Sequence, residues 1–154
     1  MNDLPIKHLK PRKNSKYHQG YIPESLVKKY VNSKRDMPII YRSGLELQFI
    51  QFCESSDSIV QWSSETLGIP YFNRLLNKMS TYWIDFIIMN KQGKKCLVEV
   101  KPENQCKKPK DTDSVFLKRA WITNVDKWQA ARKYADEHDM NFWIFTENSL
   151  KNQI

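Results

Sequence analysis

The sequence predicts an α/β domain with a mixed sheet, built in the order helix, three strands, helix, strand. An amphipathic helical segment comes first and is followed by short strands and an apolar hairpin, and a second helical segment precedes a last apolar strand. Because a helical crossover leads to that last strand, we expect it to join the sheet in parallel. The 154 residues are enough to bury one domain core.

The first helix is predicted from RSGLELQFIQFCESSD, where Ser43 is suited to cap the N-terminus. Its apolar residues recur at i, i+4 and i+7, as Leu45, Phe49 and Phe52. Residues 59–62 and 69–72 are short apolar runs, and each is predicted to form a strand.

The strongest strand prediction is the apolar hairpin TYWIDFIIMN, KQGK, CLVEVK, which carries an acid on each strand and a lysine. Asp85 lies inside the first strand, while Glu99 and Lys101 stand two apart on the second and so share a face. A three-residue loop would set Asp85 opposite Glu99, and a five-residue loop would set it opposite Lys101. Gly93 suits the three-residue form. Either register brings two carboxylates and one lysine into a single cluster.

The remaining segments complete the predicted order. Residues 102–120 are polar and basic and are predicted to be a long loop with some helix. A helix is predicted from a cap at Asn124 through Asp139, followed by the strand NFWIFT. The chain is predicted to divide into a basic N-terminal arm with a short helix (1–38) and a compact domain (39–154).

The positive charge is concentrated in two segments of the chain. The net charge is +8, and residues 1–38 carry nine Lys and Arg against three Asp and Glu, while residues 91–119 carry nine against four. This distribution is typical of a protein that binds nucleic acid. The candidates for contact with DNA are Lys10, Arg12, Lys13, Lys107, Lys108 and Lys110.

Two classes of protein are disfavoured by composition. No apolar run approaches the roughly 20 residues of a membrane span, so no membrane association is expected. The three cysteines lack CxxC spacing, which argues against a disulfide framework or a zinc site.

The acid–acid–lysine cluster is suited to metal-assisted chemistry on a phosphate. Two carboxylates beside a phosphate are typical ligands of Mg²⁺, which keeps several of its waters. A neighbouring lysine can orient a water nucleophile and offset charge that develops on the phosphate. A structural salt bridge is the alternative, but a buried pair is often no more stable than an apolar substitute.

The same residues resemble a known superfamily. Asp85, thirteen further residues and Glu99-Val100-Lys101, with Glu46 on a preceding helix, resemble the PD-(D/E)xK nucleases, although Ile84 replaces the proline of the PD pair. Further segments resemble the head completion nucleases of T-even-like tailed phages and the endonuclease subunit of heteromeric transposases. They lie within residues 20–147 and are GYIPESLVKKY, PIIYRSGLE, QWSSETLGIPY, KWQAARKY and FWIFT.

The resemblance implies a restriction-endonuclease-like core of α-β-β-β-α-β order and a Mg²⁺-dependent DNA endonuclease, with Mn²⁺ expected to substitute. Asp85 and Glu99 would bind the metal directly, and the carbonyl of Val100 would complete the protein ligands. Glu46 would hold the metal through water or bind a second ion, and Lys101 would position the attacking water. Residues 39–154 would then form the nuclease-like domain.

Three of the candidate residues have structural alternatives. Glu46 fits S-x-x-E, a capping box in which the glutamate turns back to its own helix N-terminus. Glu65 lies where the resembled nucleases keep an acidic residue near the site, but it also suits a turn. Lys127 could contact phosphate or belong to a solvated helix face.

The resemblance further implies duplex DNA as substrate and a task in finishing the packaged genome end during phage head completion. Portal or neck proteins would be its partners. The protein is expected in the cytoplasm of the infected host cell, and its retention in the virion is a further expectation. The rival function is a virion structural protein at the head neck that binds DNA or portal and cuts nothing.

Overall fold

Two helices pack against a four-stranded sheet, to which two smaller strand pairs are attached. The fold is that of a computed structural model, which describes Ile6, residues 19–31 and residues 38–151. In chain order its elements are β1 (Gly20–Ile22), β2 (Ile39–Tyr41), α1 (Gly44–Ser55), β3 (Ile59–Ser64), β4 (Gly68–Asn73), β5 (Lys78–Trp83), β6 (Phe86–Asn90), β7 (Lys95–Val100), α2 (Val115–Glu137) and β8 (Asn141–Phe145).

The central sheet has the strand order β3-β6-β7-β8. β6 pairs antiparallel with β3 and β7, whereas β8 pairs in parallel with β7 after the α2 crossover. The mixed sheet and the parallel last strand are therefore confirmed. The predicted strand at 69–72 lies in β4, which pairs with β5 in a separate two-stranded sheet. Without that inserted hairpin, the order from α1 to β8 is α-β-β-β-α-β.

The strand predicted from TYWIDFIIMN is wrong as one continuous element, because β5 ends at Trp83 and β6 begins at Phe86. Between them the backbone turns to other partners. The N–H of Ile84 donates to the carbonyl of Leu67 (3.0 Å), and the carbonyl of Asp85 accepts from the N–H of Glu65 (3.1 Å). The break places Asp85 at the end of the sheet.

The second helix begins at Val115 and not after Asn124, so that the predicted helix start is wrong. Ser114 is the N-cap, and its side chain accepts from the N–H of Leu117 (3.2 Å). The first turn carries exposed apolar residues, with an exposed fraction of 71% for Val115 and 78% for Phe116. It therefore lacks the amphipathic pattern that predicts a helix.

Part of the predicted arm packs on the body of the protein. β1 pairs antiparallel with β2, Ile22 is buried in the core, and Tyr30 bridges to Trp62. In the region of the predicted short helix, the described residues form a 3₁₀ helix at Glu24–Leu26 and then an extended chain at Val27. The division at residue 38 stays a prediction. Three arm candidates for DNA contact lie outside the described residues: Lys10, Arg12 and Lys13.

The two faces of the central sheet are covered by different elements. On one face α1 buries its apolar side. There the centre of the Phe49 ring lies 4.7 Å from the centre of the Phe86 ring and 5.0 Å from that of Phe145. On the other face α2 and the β4–β5 hairpin cover Leu97. Among the described helices, none is long and apolar enough to cross a membrane.

An ion pair between an exposed arginine and a buried aspartate ties the β4–β5 hairpin to α2. The backbone N–H and Nε of Arg74 donate to the carboxylate of Asp126, at 3.1 and 2.7 Å, and the Asp126 side chain is only 6% exposed.

We expect Asp126→Ala to lower the free energy of unfolding by about 2 kcal/mol, because both hydrogen bonds to a charged acceptor are lost. Urea unfolding should show this, with exposed Asp136→Ala on the same helix as control. Equal stability of the two variants would contradict it.

Candidate active site

The register of the β6–β7 hairpin places the first two candidate residues opposite each other. Phe86 pairs with Val98, so one step further Asp85 stands across from Glu99. The loop is the three-residue form, since the N–H of Asn90 donates to the carbonyl of Lys94 (3.0 Å). Gly93 takes the left-handed conformation there, with φ of 81°. The three-residue register is confirmed, and the register with Asp85 opposite Lys101 is wrong.

Glu99 is buried and held by two partners. Its Oε2 accepts a hydrogen bond from the hydroxyl of Tyr82, and its Oε1 lies 3.6 Å from Nζ of Lys101. These contacts fix the carboxylate between a neutral donor and a cation. Tyr82 comes from β5, so the inserted hairpin supplies one wall of the site. Its sequence context, an apolar strand, gave no sign of this contact.

Asp85 is held by the backbone of the neighbouring strand. Its Oδ2 accepts from the N–H of Val100 at 2.8 Å. Burial, and then the nearby charge of Glu99, raise the pKa of Asp85 well above its usual range, against the opposing effect of the Val100 N–H. The structure thus shows a contact from the Val100 amide, while metal binding by its carbonyl stays a prediction.

Glu46 both completes the helix N-terminus and faces the acid cluster. Its N–H donates to Oγ of Ser43 (3.1 Å), and its Oε2 accepts from the N–H of Arg42 (2.6 Å), one residue before the cap. Burial is the main effect that raises the pKa of Glu46, and the charges of Glu65 and Glu99 add to it. A capping role and a place beside the carboxylates therefore coexist.

Glu65 lies at the edge of the same cluster. Its N–H donates to the carbonyl of Asp85 (3.1 Å), and its φ of 52° is left-handed. Its carboxylate accepts from Nε and Nη2 of Arg42, at 2.7 and 3.0 Å. Arg42 was not predicted as a site residue, because only the tertiary fold brings it to Glu65.

The lysine candidates lie at different distances from this cluster. Nζ of Lys127, on α2, lies 5.4 Å from the centre of the Tyr82 ring, so it sits over a residue that contacts Glu99. Lys107, Lys108 and Lys110 are exposed in the segment that leaves β7. Local contacts hold that segment; for example, the N–H of Lys110 donates to Oδ2 of Asp113 (2.6 Å). Their contact with DNA stays a prediction.

The carboxylates fit Mg²⁺ better than they fit a metal that needs a complete protein cage. Among the described residues, no three His, Cys, Asp or Glu side chains are grouped closely enough to enclose an ion. Asp85 and Glu99 nevertheless face each other at a strand end, and their mutual repulsion is relieved by a cation. Mg²⁺ commonly takes one or two carboxylates and keeps its other positions for water and phosphate.

Asp85→Asn should stabilise the protein when no metal is present. A carboxylate whose pKa is raised by folding costs nothing below its unfolded pKa of about 3.9, and its destabilising effect grows as pH rises through the folded pKa. Asparagine keeps an oxygen for the Val100 N–H but carries no charge. Urea unfolding in EDTA should show a gain in stability at pH 8 that shrinks at pH 4. A gain that is larger at pH 4 would contradict this account.

Two comparisons with known proteins place the chain in a family. Residues 56–147 match the N-terminal domain of TnsA-like endonucleases, a segment that holds Asp85, Glu99 and Lys101. The chain belongs to the TnsA-like endonuclease family. It is also 30% identical over 144 residues to the head completion nuclease of Enterobacteria phage T4, a match that covers 88% of this chain and 94% of that protein. These matches confirm the resemblance and the restriction-endonuclease-like fold, and as a member of this family the chain is an endonuclease.

Proposed function

We propose that the protein is a Mg²⁺-dependent endodeoxyribonuclease that hydrolyses phosphodiester bonds of duplex DNA at the Asp85–Glu99–Lys101 cluster. The observation that carries the proposal is the pair of facing carboxylates at the break between β5 and β6, with a lysine 3.6 Å from one of them. A protein that only bound DNA would gain nothing from burying two like charges together.

The side chains have different roles in the proposed hydrolysis. Bound Mg²⁺ would polarise the scissile phosphate and lower the pKa of a water. Asp85 and Glu99 would hold the ion, and the Val100 N–H and the Tyr82 hydroxyl orient them for it. The Val100 carbonyl and, through water, Glu46 would complete the metal site. Mn²⁺ should substitute, since it accepts the same oxygen ligands.

Lys101 is suited to act on the nucleophile. Its Nζ lies beside Glu99, and its side chain is 23% exposed, so the amine reaches both the carboxylate and solvent. An ammonium in that position can orient the attacking water and offset the charge that develops on the phosphate. The products should carry 5′-phosphate and 3′-hydroxyl ends.

The likeness to the phage T4 protein over nearly its whole length supports a specific task. We propose that the protein processes the end of the packaged genome during phage head completion, in the cytoplasm of the infected host cell. Portal or neck proteins would be its partners, and it would be retained in the virion. Lys107, Lys108 and Lys110 would contact the DNA backbone near the site.

One assay tests this function. Purified protein is incubated with supercoiled and with linear duplex in Mg²⁺, Mn²⁺ or EDTA. The 5′ ends of the products are then labelled with phosphate, with and without prior phosphatase treatment. We expect cleavage with either metal, none in EDTA, and ends that accept label only after phosphatase. Binding of DNA without cleavage in any metal would instead favour a structural protein of the head neck.

A further inference from the structure

Arg42 joins the acid cluster through its backbone and leaves its side chain about half exposed. Its N–H holds the carboxylate of Glu46 at 2.6 Å, which anchors the residue just before α1. Its guanidinium, in contrast, is solvent-accessible, with 53% of the side chain exposed. A cation is thus fixed beside the proposed reaction centre, with its guanidinium open to solvent.

The guanidinium is engaged by Glu65 in a fork-to-fork contact. Nε and Nη2 each donate to a different carboxylate oxygen, at 2.7 and 3.0 Å. Arginine forms the same bidentate contact with phosphate, which lysine cannot reproduce. The Glu65 carboxylate therefore occupies the position that suits a phosphate group.

A purely structural ion pair explains this arrangement poorly. Pairs that are about half exposed contribute roughly 0–1 kcal/mol. Glu65 adopts a left-handed backbone, with φ of 52°, which is uncommon for a residue other than glycine. Glu65 is a fourth acid beside Asp85, Glu99 and Glu46, so its carboxylate adds like charge to the cluster when Arg42 holds it there.

We propose that Arg42 binds a backbone phosphate of the DNA strand next to the scissile bond, and that Glu65 occupies its guanidinium in the free protein. On binding, the phosphate replaces the Glu65 carboxylate, which turns to solvent. This inference rests on the proposed function for the identity of the ligand. It assigns the pair a role in substrate binding that is separate from the metal ligands.

The two partners should affect DNA binding in opposite directions. Arg42→Gln removes one phosphate contact, so we expect about eightfold weaker binding at 0.1 M salt and a log–log salt slope shallower by about one. Glu65→Gln removes the competing carboxylate, so binding should tighten severalfold with no loss of slope. Arg42→Lys keeps the charge without the fork and should lie between wild type and Arg42→Gln.

The measurement is fluorescence anisotropy of a labelled duplex in EDTA, over a range of salt, with the melting temperature of each variant as a control of folding. Weaker DNA binding in both Arg42→Gln and Glu65→Gln would mean that the pair is only a structural contact and would overturn the inference. A salt slope of Arg42→Gln equal to that of wild type would overturn it as well. If Arg42→Gln fails to fold, Arg42→Lys and Glu65→Gln must still shift affinity in opposite directions. Because no cleavage is needed, a protein that shows these shifts but never cuts would refute the proposed nuclease and leave only the phosphate contact of Arg42 and its competition with Glu65 standing.

Discussion

Lys101→Ala should slow DNA cleavage by about 10²–10³-fold at saturating protein, the loss expected when one donor that stabilises the reacting charge is removed. Asp85→Asn and Glu99→Gln should reduce cleavage to background, because each takes away a carboxylate that the metal would need. All three variants should bind DNA about as tightly as wild type, since none removes an exposed phosphate contact.

These rates are measured as nicking of supercoiled DNA under single-turnover conditions, with anisotropy confirming equal occupancy. Lys127→Ala is the matched lysine control, because its Nζ lies over the Tyr82 ring and not beside Glu99. Its effect on the rate should be well below that of Lys101→Ala. Cleavage that survives both Asp85→Asn and Glu99→Gln would remove the assigned site.

Phe49→Ala should lower the free energy of unfolding by about 3–5 kcal/mol, the usual cost of deleting a buried aromatic ring. Phe49 is fully buried on α1 and contacts the rings of Phe86 on β6 and Phe145 on β8. The cavity would therefore loosen the helix that carries Glu46 one turn earlier. For a domain of this size the melting temperature should fall by roughly 6–20 °C.

The control for this loss is the same substitution at an exposed position. Phe72 on β4 is 50% exposed, so Phe72→Ala should cost far less than Phe49→Ala in urea or thermal unfolding. Similar losses for the two variants would mean that the α1 face is not the core of the domain.

Local features of the sequence favoured the observed hairpin register without deciding it. Gly93 suits the left-handed position of a three-residue loop, and that loop sets Asp85 opposite Glu99. The break at Asp85 could not be predicted in this way. The run TYWIDFIIMN is continuously apolar, and only contacts with Leu67 and Glu65, distant along the chain from β6, divide it.

The residues that surround the carboxylates were missed for the same reason. Tyr82 has the pattern of a core residue, and Arg42 precedes a helix cap, so neither carries a local sign of its partner. Their roles depend on how β5 and the segment before α1 meet the end of the central sheet. The start of α2 was missed because its first turn exposes Val115 and Phe116, against the usual amphipathic pattern.

The most direct test of the central claim, that Asp85 and Glu99 hold Mg²⁺, is the melting temperature as Mg²⁺ is added. An ion that binds only the folded state stabilises it in proportion to the logarithm of its concentration once the site is filled. We predict a rise for wild type and for Lys101→Ala, and none for Asp85→Asn. A rise in Asp85→Asn equal to that of wild type would place the ion elsewhere and contradict the account.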